Sequence, residues 1–317
     1  MTGGLALVLS GGGAQAAYFG AGVAQGLAEL GCAPRIYSGT SAGALNTGLL
    51  ASGITPDALV HLWSELSSSD VYRFRADLHR LLRPWHLLRL PGDPVGRALD
   101  VVGWTWLLDP SPARKTLGEL TGSTLSIRDD VVAVVSAVEQ HTGAVTRFVN
   151  ALPPAHRRTD DFRQVELSVE HLLASAAAPV LFPPVAVAGV EYTDAGLVAN
   201  TPLSPALAYE PDRVVVVASS RRQLSSRVPA EAPESLDDAL GQLFANVARF
   251  AVEQDFRHAQ TVNELARAGA TERRQVELVL VEPSSDFAVS GFVRFSPGSA
   301  RAVAAHGRSR VLELLGP

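Results

Sequence analysis

A serine lies between two glycines in the segment GTSAG, residues 39–43, directly after the apolar pair Ile36-Tyr37. This arrangement is typical of a nucleophile elbow, a tight turn from a strand into a helix in which small neighbours let the chain pass closely. In such a turn the Ser41 hydroxyl stands at the carboxyl edge of a sheet, and the first amides of the following helix face developing negative charge. The same residues also fit an ordinary glycine-rich turn, so the segment alone leaves the choice open.

A second glycine-rich segment, SGGGAQA at residues 10–16, follows the apolar stretch Leu5 to Leu9. Successive glycine amides before a helix form a concave site for an anion. A dinucleotide site would require an acidic residue about 20 positions further on, and the next predicted strand leads into Ser38-Gly39-Thr40 without one. The competing interpretation is an oxyanion hole, which accepts the charge that develops on a carbonyl oxygen during attack by Ser41.

A third segment, YTDAGLVAN at residues 192–200, carries a carboxylate followed by two small residues. Such a carboxylate after a strand is suited to a charge held in a tight loop at the edge of a sheet. Asp-x-Gly is also ordinary turn chemistry, and alone this segment favours a turn.

Four segments, taken together and in this order, resemble the patatin-like phospholipase family. They are the loop at 11–16, GTSAG at 39–43, ASAAAPVLFPPV at 174–185, and DAG at 194–196 followed by Asn200-Thr201-Pro202. The resemblance covers residues 5 to about 205, and the final third of the chain carries no segment that matches. Members of the family hydrolyse acyl esters of lipids with a serine–aspartate dyad and no histidine.

The resemblance implies that the protein is a lipid acyl hydrolase of the phospholipase A, lysophospholipase or esterase type. Ser41 would be the nucleophile that forms an acyl-enzyme, and Asp194 would be the base. An aspartate with an ordinary pKa of about 3.9 is a poor base for a serine hydroxyl, so the mechanism needs burial of Asp194 and strong oxyanion donors of roughly 3–4 kcal/mol each. The donors implied are the amides of the loop Gly11, Gly12, Gly13 and Ala14. Gly12 and Gly13 are the chief donors.

The chain departs from the family pattern at three places. Family members usually carry a basic residue where Gln15 stands and a glycine where Ala16 stands, and commonly Asp-Gly-Gly or Asp-Gly-Ala where this chain has Asp-Ala-Gly. The departures at Gln15 and Ala16 keep open a non-catalytic lipid- or protein-binding module. An acyltransferase that uses the same acyl-enzyme is a further alternative.

A Ser-Asp-His triad is the other catalytic alternative. The histidines that follow Asp194 are His258 and His306. Both fall within predicted helices, whereas a triad histidine usually lies in a loop after a strand. The sequence therefore favours the dyad.

A lipid acyl group requires a pocket lined by carbon, and two segments could supply it. The first is LFPP at 181–184, in which a proline pair stiffens the chain and removes amide donors. The second is WTWLL at 104–108, within the irregular stretch 84–110. We expect Phe182 to form a wall of an acyl channel and Trp104 or Trp106 to lie over its mouth, with a place in the core as the alternative for all three.

The elements that must position these residues alternate between strands and helices. Strands are predicted at 5–9, 35–38, 131–138, 144–149, 185–190, 213–218 and 275–281, and helices at 14–30, 42–51, from 55, 165–178, 235–268 and 299–315. This alternation predicts an α/β fold, a mostly parallel central sheet covered by helices on both faces. The three-layer form is what the resemblance implies. Because the polar stretch 221–234 is typical of a surface loop, we expect a single domain over residues 1–317.

Composition narrows the function classes. The chain has 317 residues, 47% of them hydrophobic, and a formal net charge of −5, which favours a sizeable core and argues against a nucleic-acid partner. Cys32 is the only cysteine, and the histidines show no metal-ligand spacing, so we expect neither a metal nor a cofactor. No stretch reaches the roughly 20 apolar residues of a membrane span. We expect a cytoplasmic protein that acts on a lipid or acyl-ester substrate, with peripheral membrane contact and the oligomeric state left open.

Overall fold

The computed structural model describes residues 3–75, 105–221, 235–284 and 292–316. Its strands are β1 (Leu5–Leu9), β2 (Ile36–Thr40), β3 (Arg73–Phe74), β4 (Leu108–Asp109), β5 (Val132–Glu139), β6 (Val145–Val149), β7 (Phe162–Gln164), β8 (Val185–Val187), β9 (Val190–Asp194), β10 (Arg213–Val217) and β11 (Glu277–Val281). Its α-helices are α1 (Gly13–Glu29), α2 (Ala42–Ala51), α3 (Pro56–Glu65), α4 (Ser68–Val71), α5 (Ser111–Thr121), α6 (Val169–Ser175), α7 (Leu203–Leu207), α8 (Leu236–Arg267) and α9 (Pro297–Leu315).

Five adjacent strands form a parallel sheet in the order β11-β10-β1-β2-β5. The sheet continues with β6, which is antiparallel to β5, and with β7, which is parallel to β6. The sequences LALVL of β1 and RVVVV of β10 are almost wholly buried, as expected of parallel strands that are covered on both faces. The predicted mostly parallel α/β sheet is confirmed.

Alternate residues of the strands face two different hydrophobic cores. Leu7 and Val215 belong to the core that the strands share with α1, α2 and α9. Ala6 and Val214 belong to the core on the other face, which α7 and α8 cover. The sheet therefore lies between two helical layers. Strands β10 and β11 and helices α8 and α9, all from the final third of the chain, belong to this same architecture.

Two predicted elements were wrong in their bounds. The single strand predicted at 185–190 is a hairpin, in which β8 and β9 pair antiparallel across a turn at Ala188-Gly189. The helix predicted at 165–178 begins only after Ser168, whose side chain forms a capping box with His171, and strand β7 precedes it. Both segments are short, and in such segments local turn and capping chemistry outweighs apolar periodicity.

The irregular stretch 84–110 lies largely outside the described residues, and Trp104 is among those outside. Its described end forms β4, which pairs with β3. Among the helices of the described residues, none is long and apolar enough to cross a membrane.

The C-terminal helix α9 packs along α1 at backbone contact. A β-carbon at Gly22 of α1 would overlap the backbone of Ala304 in α9. At the far end of this pair, Arg308 donates through Nη2 to the Glu29 carboxylate at 2.6 Å. The final helix therefore holds α1, and with it the glycine loop that precedes α1.

Replacement of Gly22 by alanine tests this contact. The added methyl group must displace the Ala304 backbone, so we expect the free energy of unfolding in urea to fall by about 1–3 kcal/mol. Gly118→Ala in α5 is the matched control, because no heavy atom lies within 4 Å of the added methyl group. Its free energy of unfolding should rise by up to about 1 kcal/mol, since alanine favours the helix. A Gly22→Ala protein as stable as the wild type would contradict the close packing of α1 and α9.

Candidate active site

Ser41 occupies a strained turn between β2 and α2. Its backbone angles are φ 57° and ψ −126°, which for a residue other than glycine cost about 1–3 kcal/mol. The turn is also tightly packed, because a β-carbon at Gly43 would overlap the carbonyl oxygen of Leu9. The chain therefore passes from strand to helix at Ser41, as the sequence predicts for GTSAG.

A buried serine holds the Ser41 backbone in this conformation. The N–H of Ser41 donates to Oγ of Ser175 at 2.9 Å, and that hydroxyl in turn donates to the carbonyl oxygen of Ser136 at 2.6 Å. Ser175 is fully buried and ends α6, while Ser136 belongs to β5. Sequence reasoning missed this role, although Ser175 is the only polar side chain in the segment ASAAAPVLFPPV.

Strand β5 brings Asp194 to the end of β2. Because β6 covers one edge of β5, β2 and β9 must share the other edge. Strand β2 pairs with β5 as far as Thr40 opposite Ser136, and β9 continues from Asp194 opposite Ala137. The carboxyl ends of β2 and β9 thus meet end to end. This register places Asp194 beside the residue that follows Thr40, which is Ser41.

The carboxylate of Asp194 is buried and hydrogen-bonded. It accepts a hydrogen bond at 2.6 Å from the N–H of Gly196, and the strand register places it beside Ser41. Only 5% of the residue is exposed. Burial raises the pKa of Asp194 to about 6, although the hydrogen bonds from Ser41 and from Gly196 act in the opposite direction. The carboxylate is therefore a stronger base than an ordinary aspartate while it stays ionised at neutral pH.

Two of the four predicted oxyanion donors already have partners inside the protein. The N–H of Gly11 donates to the carbonyl oxygen of Asn200 at 3.2 Å. The N–H of Ala14 donates to the carbonyl oxygen of Phe292 at 3.0 Å. These two amides are therefore not available to a substrate in this arrangement.

The amides of Gly12 and Gly13 remain. Neither N–H has a hydrogen-bond partner in the part of the chain that the structure describes. Gly12 has φ 149° and Gly13 begins α1, so their N–H groups belong to the amino-terminal end of a 17-residue helix. The loop lies against the elbow, since the β-carbon position of Gly11 is 3.0 Å from Cβ of Ser41. The geometry thus favours Gly12 and Gly13 over the other two amides.

An apolar slot of about 70 Å³ opens beside Ser41. Its described lining is almost all carbon and includes Leu45, Leu173, Phe182, Val185, Phe292 and Phe295. Phe182 is one of the residues that line the slot, and its role as a wall of an acyl channel stays a prediction. Sequence reasoning missed Phe292 and Phe295, because they come from a stretch without any recognisable motif.

Trp106 and Gln15 are not among the described residues that line the slot. Trp106 forms an isolated bridge with Val180, and the guanidinium of Arg75 lies over its ring at 4.0 Å from the centroid. Gln15 is 6% exposed on α1, so a basic side chain in its place would itself have to be buried.

The two histidines of the alternative triad lie elsewhere in the fold. His306 on α9 accepts a hydrogen bond from the N–H of Ser284 at 3.2 Å. His258 on α8 lines a different cavity, together with Asp255 and with Val276, which precedes β11. That cavity lies near the amino ends of the parallel strands, opposite the edge that carries Ser41. The geometry therefore favours the pair Ser41 and Asp194 without a histidine.

The fold and the site together define an α/β protein with a serine elbow, a glycine loop and a buried aspartate at one sheet edge. The patatin-like phospholipase family profile matches residues 7–207, which is more than half of the chain. The chain therefore belongs to the patatin-like phospholipase family. The match ends before β10, so β10, β11, α8 and α9 lie beyond it.

Two solved structures resemble this chain at low sequence identity. VipD from Legionella pneumophila is 15% identical with a TM-score of 0.43, and the alignment covers 99% of this chain and 66% of VipD. The type III effector protein ExoU is also 15% identical with a TM-score of 0.31, and the alignment covers 99% of this chain and 53% of ExoU. No curated protein matches the sequence.

The strained backbone at Ser41 has a measurable consequence. Ser41→Ala and Ser41→Gly both remove the hydroxyl, but only glycine adopts φ 57° and ψ −126° without steric cost. We expect the free energy of unfolding of Ser41→Gly to exceed that of Ser41→Ala by about 1 kcal/mol in urea denaturation. Equal stability of the two variants would mean that Ser41 stores no strain.

The raised pKa of Asp194 links stability to pH. Between pH 4 and pH 6 the folded protein keeps a proton on Asp194 that the unfolded chain has lost, so its contribution to stability falls as the pH rises. The loss amounts to about 3 kcal/mol and is complete above pH 6. Asp194→Asn has no such titration, so we expect it to gain about 3 kcal/mol relative to the wild type between pH 4 and pH 7.5. Urea denaturation across this range measures the difference, and a constant difference would contradict the buried carboxylate.

Proposed function

We propose that this protein is a lipid acyl hydrolase of the phospholipase A, lysophospholipase or esterase type, with Ser41 and Asp194 as its catalytic dyad. The observation that carries the proposal is a buried carboxylate, Asp194, which the strand register places beside Ser41 at an apolar slot. A nucleophile, a base of raised pKa and a carbon-lined pocket are what acyl transfer from an apolar ester requires.

In the first half-reaction, Oγ of Ser41 attacks the acyl carbonyl carbon and its proton passes to Asp194. The carbonyl oxygen becomes an oxyanion and accepts hydrogen bonds from the N–H groups of Gly12 and Gly13. Collapse of the tetrahedral intermediate breaks the bond to the alcohol, which leaves with the proton from Asp194. The product is an acyl ester of Ser41.

In the second half-reaction, a water molecule attacks the acyl-enzyme while Asp194 accepts its proton. The same two amides stabilise the second oxyanion. The proton returns to Oγ of Ser41 as the carboxylic acid departs. Both half-reactions use one base, which therefore must be ionised at the start of each.

Preorganisation of the site supports this chemistry. The conformation of Ser41 is fixed by the Ser175 hydroxyl, and the amino ends of α1 and α2 both lie at the reacting group. Fixed amides of this kind act without reorganisation, and one donor lowers the activation barrier by roughly 3–4 kcal/mol. Such donors compensate for a base that is weaker than histidine.

The apolar slot supports an acyl chain as the recognised part of the substrate. At about 70 Å³ it is well below the roughly 300–1,000 Å³ of ligand pockets, so it encloses only the first part of a long chain. We propose Phe182 as one wall of the acyl site. The role of Trp106 over its mouth stays a prediction.

Two alternatives use the same residues differently. A non-catalytic binding module would hold a lipid in the slot without reaction at Ser41. An acyltransferase would form the same acyl-enzyme and pass the acyl group to an alcohol or amine instead of water.

A fluorophosphonate probe and acyl esters together test the proposed function. We expect the probe to label Ser41, as located by mass spectrometry, and Ser41→Ala and Asp194→Asn each to reduce ester hydrolysis by at least about 10³-fold while both variants stay folded. His258→Ala and His306→Ala are the controls and should keep wild-type turnover. The value of kcat/KM should rise through pH 6 as Asp194 ionises.

Each alternative gives a different result. Lipid binding without labelling of Ser41 would favour the binding module. Labelling of Ser41 together with transfer of the acyl group to an added alcohol in preference to water would favour the acyltransferase. Loss of activity in a folded His258→Ala or His306→Ala protein would replace the dyad with a triad.

A further inference from the structure

The proposed oxyanion loop contains a peptide bond that is easily turned over. The carbonyl of Gly11 and the N–H of Gly12 belong to one trans peptide, so they point in opposite directions. Glycine on both sides adopts positive and negative φ almost equally well, and such a peptide rotates at little steric cost. Rotation would turn the N–H of Gly12 away from the oxyanion and present the carbonyl oxygen of Gly11 in its place. An oxyanion hole built on two glycines therefore needs an anchor.

A buried serine anchors this peptide. Oγ of Ser219 donates to the carbonyl oxygen of Gly11 at 2.7 Å, and Nδ2 of Asn200 approaches the same oxygen at 3.5 Å. Ser219 is 7% exposed. The hydrogen bond from the Ser219 hydroxyl is thus the shorter of the two that hold the Gly11 carbonyl.

The sheet places Ser219 under the loop. Strand β10 is the parallel neighbour of β1, with Val217 opposite Leu9, so the residues just after β10 lie beside the loop that follows β1. A β-carbon at Gly12 would lie 2.5 Å from Oγ of Ser219 and 2.6 Å from its Cβ, which shows how closely the two segments pack. Ser219 also lies beyond the region that matches the family profile.

We propose that Ser219 is a positioning residue of the oxyanion hole. Its hydroxyl fixes the Gly11 carbonyl on the side of β10 and thereby directs the N–H of Gly12 toward the substrate carbonyl. The inference rests on the proposed function of Ser41 and Asp194. Ser219 is not among the described residues that line the slot, and it acts through one peptide plane.

A merely structural serine would behave differently. Loss of a buried hydrogen bond alone would lower the melting temperature and leave the turnover of the folded enzyme unchanged. Loss of an oxyanion donor weakens binding of the transition state more than binding of the substrate. It therefore lowers kcat and leaves KM unchanged. The two roles therefore separate in the kinetic constants.

The experiment compares Ser219→Ala with Ser220→Ala. Ser220 is the adjacent residue and is equally buried at 5% exposed, which makes it the matched control. With a short-chain ester we expect Ser219→Ala to lower kcat about 10- to 100-fold with KM within about twofold, below the 10²–10³ of a donor that is removed outright. Ser220→Ala should keep wild-type constants. The rate at which the fluorophosphonate labels Ser41 should fall in parallel with kcat.

A second variant keeps the test decisive if Ser219→Ala folds poorly. Ser219→Thr retains the hydroxyl and should restore most of kcat. A folded Ser219→Thr as slow as Ser219→Ala would overturn the inference, and so would an unchanged kcat in a folded Ser219→Ala. Ser41→Ala separates a failure of the proposed function from a failure of the role proposed for Ser219. If Ser41→Ala stays active or the probe leaves Ser41 unlabelled, the proposed function is wrong and the inference falls with it. If Ser41→Ala is inactive while Ser219→Ala matches Ser220→Ala, only the inference is wrong.

Discussion

The arrangement of the site depends on one electrostatic constraint, the burial of the Asp194 carboxylate where β2 and β9 end against each other along β5. A carboxylate at this position is tolerated because the N–H of Gly196 donates a hydrogen bond to it. This bond and the neighbouring Ser41 side chain do not fully offset desolvation, and the pKa rises to about 6. The same burial costs stability at neutral pH and makes the Asp194 carboxylate more basic, which the proposed chemistry requires, so stability and the proposed chemistry are opposed at this carboxylate.

The elbow and the glycine loop are held by residues outside the proposed dyad. Ser175 fixes the Ser41 amide from β5 and α6, and Ser219 fixes the Gly11 carbonyl from the end of β10. The carbonyl oxygen of Phe292 accepts a hydrogen bond from the Ala14 N–H, and the Phe292 ring stacks on Phe244 with ring centroids 4.2 Å apart. Strain at Ser41 persists because several independent contacts determine the turn. Part of this support comes from the segment beyond the family match, which therefore contributes to the site as well as to the core.

Apolar runs and capping residues in the sequence predicted the strands and helices whose formation depends on neighbouring residues. Long apolar runs predicted the buried strands, and Thr55, whose side chain accepts from the Ala58 N–H, marked the start of α3. The β8–β9 hairpin was missed, because its turn at Ala188-Gly189 is too short to interrupt an apolar stretch. It decides the site, since β9 is the strand that carries Asp194 to the edge of β5.

The sequence by itself determined the family, through GTSAG, the glycine loop and the Asp194 segment, because these short segments are set by local backbone geometry and by residue type. It also determined the α/β alternation, because hydrophobic periodicity is a local property. The tertiary structure alone decided which loop amides lack a partner among the described residues and that Phe295 lines the slot. It alone also decided that Ser175 holds the turn at Ser41 and that Ser219 holds the glycine loop. These facts depend on contacts between segments far apart in the chain, such as the 208 positions between Gly11 and Ser219, and strand register fixes such contacts only once the sheet has formed.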